Sequence, residues 1–447
     1  MTTVNYLSNG ESRSGVHFTA LSLGAQAARG QEKYVERISD VLLCRKDFKI
    51  LFGKVKFLGV SQRFEDVIKT FKTPDKETPA GFRIESCLKG DGLLEFDLVR
   101  DISFDKNGLK RPTAVIFSAD SANPYEVEPI APLLGNLTCN PGIVYDLFIN
   151  NPKANVGGKF KTRDEVMIEL GRILGPGCDI SVELNNPFEE DFEKILEECE
   201  TFKKILTEYR LVIKVPHTGA VNAKNVSELL EGDKKLSIAY DKCATADALR
   251  GHNLAIKLRE YGYRINYTLM FEPYQTNLAL QAKPYFINSF IRHRAKQSGD
   301  IKRMLDIFEI TKDQKQLIEL RNYMLNNDYL AKGDTERDLF DVLKTANDIV
   351  KYRNFENCYG SDGLDGVRHN LKMLRNCALK DTRLIICSME GEYNYPDIDN
   401  LMADPEYADI IDRIVITAEP AYLARWTSTN QVISYQRRFM NAAKGQK

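Results

Sequence analysis

Apolar residues along this chain fall into two rhythms. From Arg111 onward, short runs of apolar and β-branched residues alternate with stretches whose apolar positions recur every three or four residues. These are the periods of buried strands and amphipathic helices. Strands are predicted at Thr113–Ser118, Gly135–Thr138, Asp179–Leu184, Arg210–Val215, Arg264–Met270, Pro284–Phe290, Arg383–Ser388 and Arg413–Thr417. Helical stretches follow several of them, among them Pro187–Tyr209, for which Asn186-Pro187 reads as a start signal. Eight strands separated by helices predict an α/β fold, a (β/α)8 TIM barrel. A doubly wound sheet is the alternative, but neither GxGxxG nor GxxxxGK[ST] follows any strand.

Residues 1–110 have a different texture and are predicted to form an N-terminal accessory α/β region. Met1 to about Gly15 is polar and predicts poor order. Helical spacing appears at Tyr34–Leu43, strand-like pieces at Lys49–Val60, and helical spacing again at Ser61–Phe71. Phe82–Val99 reads as a hairpin turning at Gly90-Asp91-Gly92. The barrel is then expected over 111–447, with a charged, helix-rich insertion at about 295–380 between its sixth and seventh strands. The segment Asn222–Tyr263 is the other long connection. Connections of this length carry structure of their own and include lids and binding elements; bare buttressing of the barrel is the alternative. The C-terminal stretch holds the single tryptophan, Trp426, and an amphipathic helix ending in basic residues.

Composition narrows the function classes. A formal net charge of −1 gives no reason to expect nucleic acid or an acidic membrane surface as partner. No apolar run approaches the roughly 18 residues of a membrane span. The N-terminus lacks a basic and apolar signal pattern. The 9 cysteines are scattered without a CxxC, and the 5 histidines form no HxH or HxxxH pair. A reduced, cytoplasmic enzyme without metal or cofactor is expected, with its oligomeric state open and a homo-oligomer among the alternatives.

The strand Leu211–Pro216, LVIKVP, sets one lysine among apolar residues. Lysine is almost never fully buried without a partner or a task. At its ordinary pKa only about one in a thousand is neutral at pH 7.4. Desolvation lowers that pKa, which would make Lys214 an amine nucleophile suited to Schiff-base chemistry. A lysine whose head escapes to solvent at the strand end is the alternative.

In a barrel the C-terminal strand ends build the site. Read there, the chain supplies Asp120 after the first strand, Thr138 and Asn140 at the second, Glu183 at the third and Lys214 at the fourth. Asn266 and Thr268 alternate on the fifth, so both face one way. Asn288, Ser289 and Phe290 close the sixth, with Arg292, His293 and Arg294 beyond, and Ser388 ends the seventh. Singly, Asp120 and Asn140 read equally well as turn residues, and Glu183 as a salt-bridge partner. Together these polar residues satisfy one another on one rim.

The set ADSAN, LTCNPGIV, ISVEL, LVIKVPHT, INYTLMF and YFINSF, in this order, resembles the transaldolase family, class I Schiff-base aldolases on a (β/α)8 barrel. The resemblance spans about Arg111 to Thr417. It implies that Lys214 forms the imine, that Glu183 acts as acid/base through a water held with Thr268, and that Asp120 handles the proton where the carbon–carbon bond breaks. Asn140 and Asn266 would hold substrate hydroxyls. Thr138, Asn288, Ser289, Phe290, Arg292, Arg294 and Ser388 complete the substrate-binding set, and the partner would be a sugar or sugar phosphate. Glu183 and Phe290 resemble transaldolases rather than the related fructose-6-phosphate aldolases, which carry glutamine and tyrosine there. Asn288 and Ser289 depart from the family's serine and proline. After the seventh strand Glu390 and Glu392 stand where a phosphate-binding arginine is expected. Two further readings stay open: a Schiff-base aldolase without sugar acceptor, and a retired barrel that binds a sugar or a protein partner.

Overall fold

The structure is a computed structural model of the full chain, and it describes residues 18–105, 109–219, 221–226, 245–327, 329–330, 332–351, 363–387, 394–424, 427 and 429–445. The expectations for Met1–Gly15, Trp426, Ser388, Glu390 and Glu392 fall outside the described residues.

Six strands precede the barrel: β1 (Phe18–Thr19), β2 (Gln26–Ala27), β3 (Leu42–Leu43), β4 (Phe57–Val60), β5 (Phe82–Leu88) and β6 (Leu93–Arg100). β5 and β6 form the expected antiparallel hairpin, with Gly92 at φ 86° in its turn, a region glycine enters at no steric cost. The sheet order is β2-β4-β6-β5, with β1 and β3 paired apart. One expectation is corrected here: Lys49–Leu51 ends the helix Arg45–Leu51 rather than starting a strand. Cys44 caps that helix, accepting from the Asp47 amide, and Phe48 on it stacks on Phe18 at 4.0 Å.

The eight predicted barrel strands are β7 (Ile116–Asp120), β8 (Leu134–Cys139), β9 (Asp179–Glu183), β10 (Leu211–Pro216), β11 (Ile265–Thr268), β12 (Phe286–Phe290), β13 (Arg383–Cys387) and β14 (Ile414–Ala418). All neighbours are parallel and β14 pairs with β7, closing the barrel. The fold is therefore a (β/α)8 barrel with additional N-terminal elements. β7 begins three residues later than the apolar run suggested, since Thr113, Ala114 and Val115 precede the first paired residue, and it ends two residues later. The helix expected from Pro187 starts at Phe192, where Asp191 caps it by accepting from the Glu193 amide; Asn186 instead caps the preceding turn.

Alternate strand residues fill two compartments. Leu137, Ile180, Val182, Ile213, Val215, Ile287, Leu384 and Ile416 point outward under the helices. Ile116, Val212, Phe286, Ile385 and Val415 point inward and form a dry layer across the barrel, joined by Ile102 from the segment after β6. Below it, Arg100 and Arg264 both bind Asp179, at 2.7 and 3.1 Å, and Arg383 and Arg83 bind Asp101, at 2.7 and 2.9 Å. The N-terminal region thus contributes Arg100, Asp101 and Ile102 to the floor of the barrel. Between β12 and β13 the helices Ser298–Thr311, Gln314–Asn326 and Leu339–Lys351 share an apolar core of their own built on Ile301, Leu320, Met324 and Val342.

Candidate active site

Above the dry layer the inward positions of β7, β8, β9 and β11 become polar, while Phe290 and Cys387 keep those of β12 and β13 partly apolar. Asn136 donates to Ser118 Oγ at 2.9 Å, and the Thr417 and Ser118 hydroxyls are bonded at 2.7 Å. Ser181 Oγ donates to Asn136 Oδ1 at 3.4 Å. A register shift between Phe117 and Ser118 brings Ser118 and Asp120 level with Asn136 and Thr138. This polar tier is the shelf on which Lys214, Glu183 and Asp120 stand. Period-two alternation carried the signal for it: Ser118/Asp120, Asn136/Thr138 and Ser181/Glu183 each share a face.

Lys214 stands on that shelf, 6% exposed, its Nζ 3.2 Å from Glu183 Oε2. The two are directly paired across β10 and β9, and Asn266 pairs with Lys214 on the other side. The solvent-escape reading of Lys214 is therefore excluded by its burial. Thr138 Oγ1 donates to Asp120 Oδ1 at 2.8 Å, which fixes that carboxylate on β7, two strands along the barrel from Glu183. Asn288 Nδ2 donates to Asn266 Oδ1 at 2.5 Å and to the Tyr267 carbonyl at 2.9 Å. Among the described residues Asn266 Nδ2 and Thr268 Oγ1 are buried without a hydrogen-bond partner, which leaves them able to receive a hydroxyl-bearing ligand.

The electrostatics correct one expectation. Burial alone would draw the Lys214 pKa down, but the carboxylates of Glu183 and Asp120 outweigh it and hold the ammonium form above the ordinary lysine value. Burial pushes the Glu183 carboxyl up, against the pull of Lys214. The resting site is therefore an ion pair whose acid is biased toward accepting a proton. Cys139 and Cys387, which sequence reasoning passed over, lie close enough to act on Lys214; burial keeps their thiols protonated, at about 12 for Cys139.

The other predicted residues divide. Phe290 faces the barrel mouth and packs on Phe271 with ring centroids 4.8 Å apart. Asn140 accepts the Ile143 amide at 2.9 Å, capping the helical segment Gly142–Ile149 from the rim of β8. Ser289 faces outward, where its Oγ accepts from Asn370 at 3.0 Å, so it does not line the barrel. Arg292 is exposed. Arg294 is buried and bound to Glu272 at 2.5 Å and to Asp365, which starts the helix Asp365–Asn376. His293 is tied to the same carboxylate, its Nε2 2.9 Å from Glu272 Oε1. Sequence reasoning missed Glu272, from the connection after β11, and Asp365, from the start of a helix distant in sequence. Ser388 falls outside the described residues.

The closed parallel barrel thus carries a buried lysine with two carboxylates acting on it toward the C-terminal ends of its strands. Residues 117–322 match the family model described as transaldolase/fructose-6-phosphate aldolase, a match that begins in β7 and ends within the inserted helices. That match covers a little under half of the chain, and it supports a likeness to the transaldolase family as a divergent relative and an aldolase-type function in general. No curated protein matches the chain. Among solved structures, a protein described as a lactate oxidase from Pediococcus acidilactici shares 9% identity at a TM-score of 0.29, over 76% of this chain and 67% of that one. Aldose reductase from Giardia lamblia shares 18% identity at a TM-score of 0.23, over 43% of this chain and 62% of that one. Both likenesses are too slight to carry a functional argument. Among the described residues no helix is long and apolar enough to cross a membrane.

Proposed function

We propose that this protein moves a dihydroxyacetone-type three-carbon unit between sugars through a Schiff base on Lys214. The observation that carries the reading is the Lys214–Glu183 pair at 3.2 Å, buried beside two polar atoms without a partner among the described residues, with Asp120 on β7 close enough to act on both. Lys214 rests as an ammonium and must lose a proton before it attacks the ketose carbonyl. Glu183, its affinity for protons raised by burial, is the group placed to take it. The amine nitrogen then bonds to the carbonyl carbon, and the oxygen leaves as water with protons returned through Glu183 and a water held by Thr268. The iminium draws in the electrons of the adjacent carbon–carbon bond as Asp120 removes the hydroxyl proton from the carbon that departs as an aldehyde. An acceptor aldehyde reverses these steps on the retained enamine. Asn266 and Asn288 would hold hydroxyls of the three-carbon unit, Asn140 and Thr138 the opposite side, and the protein would work in the cytoplasm.

The test of transfer is product analysis with an isotopically labelled ketose, with and without an acceptor aldehyde. Label passing into a longer sugar only when acceptor is present supports transferase action. Equal release of a free three-carbon ketone without acceptor would make the protein an aldolase instead.

A further inference from the structure

We propose that Asn288 and Cys387 are positioning residues, which together lock the Asn266 side chain with its amide nitrogen, not its oxygen, presented beside Lys214. This is a task for Asn288 beyond any hydroxyl it meets itself, and it rests on the Schiff-base reading above only for what the ligand is.

The argument follows the polarity of three side chains. An asparagine amide carries an acceptor at one corner and two donors at the other, and its fixed neighbours decide which corner faces which way. One neighbour of Asn288 leaves no choice. The Tyr267 carbonyl oxygen can only accept, so the Asn288 atom 2.9 Å from it is the nitrogen. That nitrogen also lies 2.5 Å from Asn266, which must therefore offer it Oδ1. The two protons of Asn288 Nδ2 are thereby used, and the acceptor of Asn266 is held inside the barrel wall. Cys387, inward on β13, holds the other corner of Asn288. Its one proton is shared between Asn288 Oδ1 at 3.6 Å and the Ser289 carbonyl oxygen at 3.5 Å. Burial keeps that thiol protonated, so it remains a donor. Reversing Asn288 would set oxygen against oxygen at Tyr267 and donor against donor at Cys387.

Asn266, Asn288 and Cys387 are 0%, 2% and 5% exposed, so bulk water does not compete for these bonds. Asn266 stands in register with Lys214 across β10 and β11, and its Nδ2 has no partner among the described residues. A group that only donates there takes a ligand oxygen through its lone pair, whether carbonyl or hydroxyl. Its partial positive charge also opposes the ammonium form of Lys214, the reverse of what Glu183 and Asp120 do.

The test uses the full-length protein without substrate, with lysine enriched in 13C at Cε followed through a pH titration. Asn288→Leu removes both bonds and frees Asn266 to turn its oxygen toward the ammonium. The Lys214 midpoint is expected to rise by about half a unit, about a threefold loss of neutral amine. Asn266→Ala should raise it too, and the double variant should rise no further than Asn266→Ala alone, because Asn288 acts through Asn266. Asn288→Ser serves if the leucine variant does not fold, since a hydroxyl has one proton for two acceptors. Cys387→Ser keeps a donor and should leave the midpoint in place, whereas Cys387→Ala should raise it by less than Asn288→Leu does. A midpoint unmoved or lowered by the Asn288 variant, or a shift that persists in full on top of Asn266→Ala, overturns the proposal. Equal midpoints in Cys387→Ser and Cys387→Ala overturn the part given to Cys387. Failure to trap an adduct with any ketose sinks the Schiff-base reading alone, because the titration needs no imine.

Discussion

Replacing Glu183 by glutamine removes one charge, keeps the side-chain shape and leaves a hydrogen-bonding group beside Lys214. Two opposite charges 3.2 Å apart attract by about 5 kcal/mol at an effective dielectric constant of 20. Burial of both groups offsets much of that, and Asp120 still faces the lysine in the variant. If only a third of the gross attraction survives, about 1.5 kcal/mol, the neutral fraction of Lys214 at a given pH below its midpoint rises about tenfold. The sign follows from the structure: Glu183 raises the lysine pKa, so its removal must lower it. Lysine enriched with 13C at Cε reports this directly, since the Lys214 resonance can be followed through a pH titration without any substrate. It is expected to titrate at lower pH in Glu183→Gln than in wild type. Turnover should nonetheless fall by about 10²–10⁴, because the variant gains a freer amine and loses the group that shuttles its protons. An unmoved or upward-moving titration would refute the ion-pair account of Lys214. Unchanged turnover would refute the role given to Glu183.

Four further outcomes are expected. Asp120→Asn should retain borohydride-trapped adduct while losing about 10²–10⁴ in bond cleavage, since its carboxylate is placed for the second step only; loss of the adduct as well would count against that division of roles. Asp179→Ala, which leaves the buried Arg100 and the half-buried Arg264 guanidinium groups without that carboxylate, should destabilise the fold by about 3–5 kcal/mol in chemical denaturation. Burial works against ionisation of Asp101, but Arg383, Ser103 and Arg83 hold its pKa below the ordinary 3.8. Its stabilising contribution is therefore complete above that value and lost as pH falls through the depressed one, and Asp101→Asn should flatten the stability profile in that acid window. Gly251→Ala places a Cβ 2.1 Å from the Pro216 carbonyl oxygen, so the helix beginning at Arg250 must move away from the end of β10; reduced stability and slower adduct formation at Lys214 should follow together.

Much of the architecture was legible because buried parallel strands leave continuous apolar runs. The eight strands lie within a few residues of those runs, and the lysine in LVIKVP stands out against its neighbours. The polar tier was legible only where alternation was followed, as at Asn266 and Thr268; the same alternation at Ser118, Asn136 and Ser181 marks the shelf beneath. The direction of the Lys214 pKa was not legible. Burial and a nearby carboxylate push a lysine in opposite directions, and which one wins depends on a distance across two strands that are joined by a long helix. Ser289 shows the same limit on a smaller scale: it follows Asn288 in sequence, and the pleat turns it to Asn370 on the other side of the wall. The ties of Arg294 to Glu272 and Asp365 link positions 22 and 71 residues away, beyond any local pattern. The same holds for the floor, where Arg100 from the N-terminal hairpin meets Asp179 in β9.

The most direct measurement is intact mass and peptide mapping after incubation with dihydroxyacetone or fructose 6-phosphate and borohydride, for wild type and Lys214→Met. A reduced adduct of the donor on the wild type alone, mapped to the β10 peptide at Lys214, is the predicted result. An adduct mapped to another lysine, or formed equally in the variant, would contradict the assignment of Lys214 as the imine-forming residue.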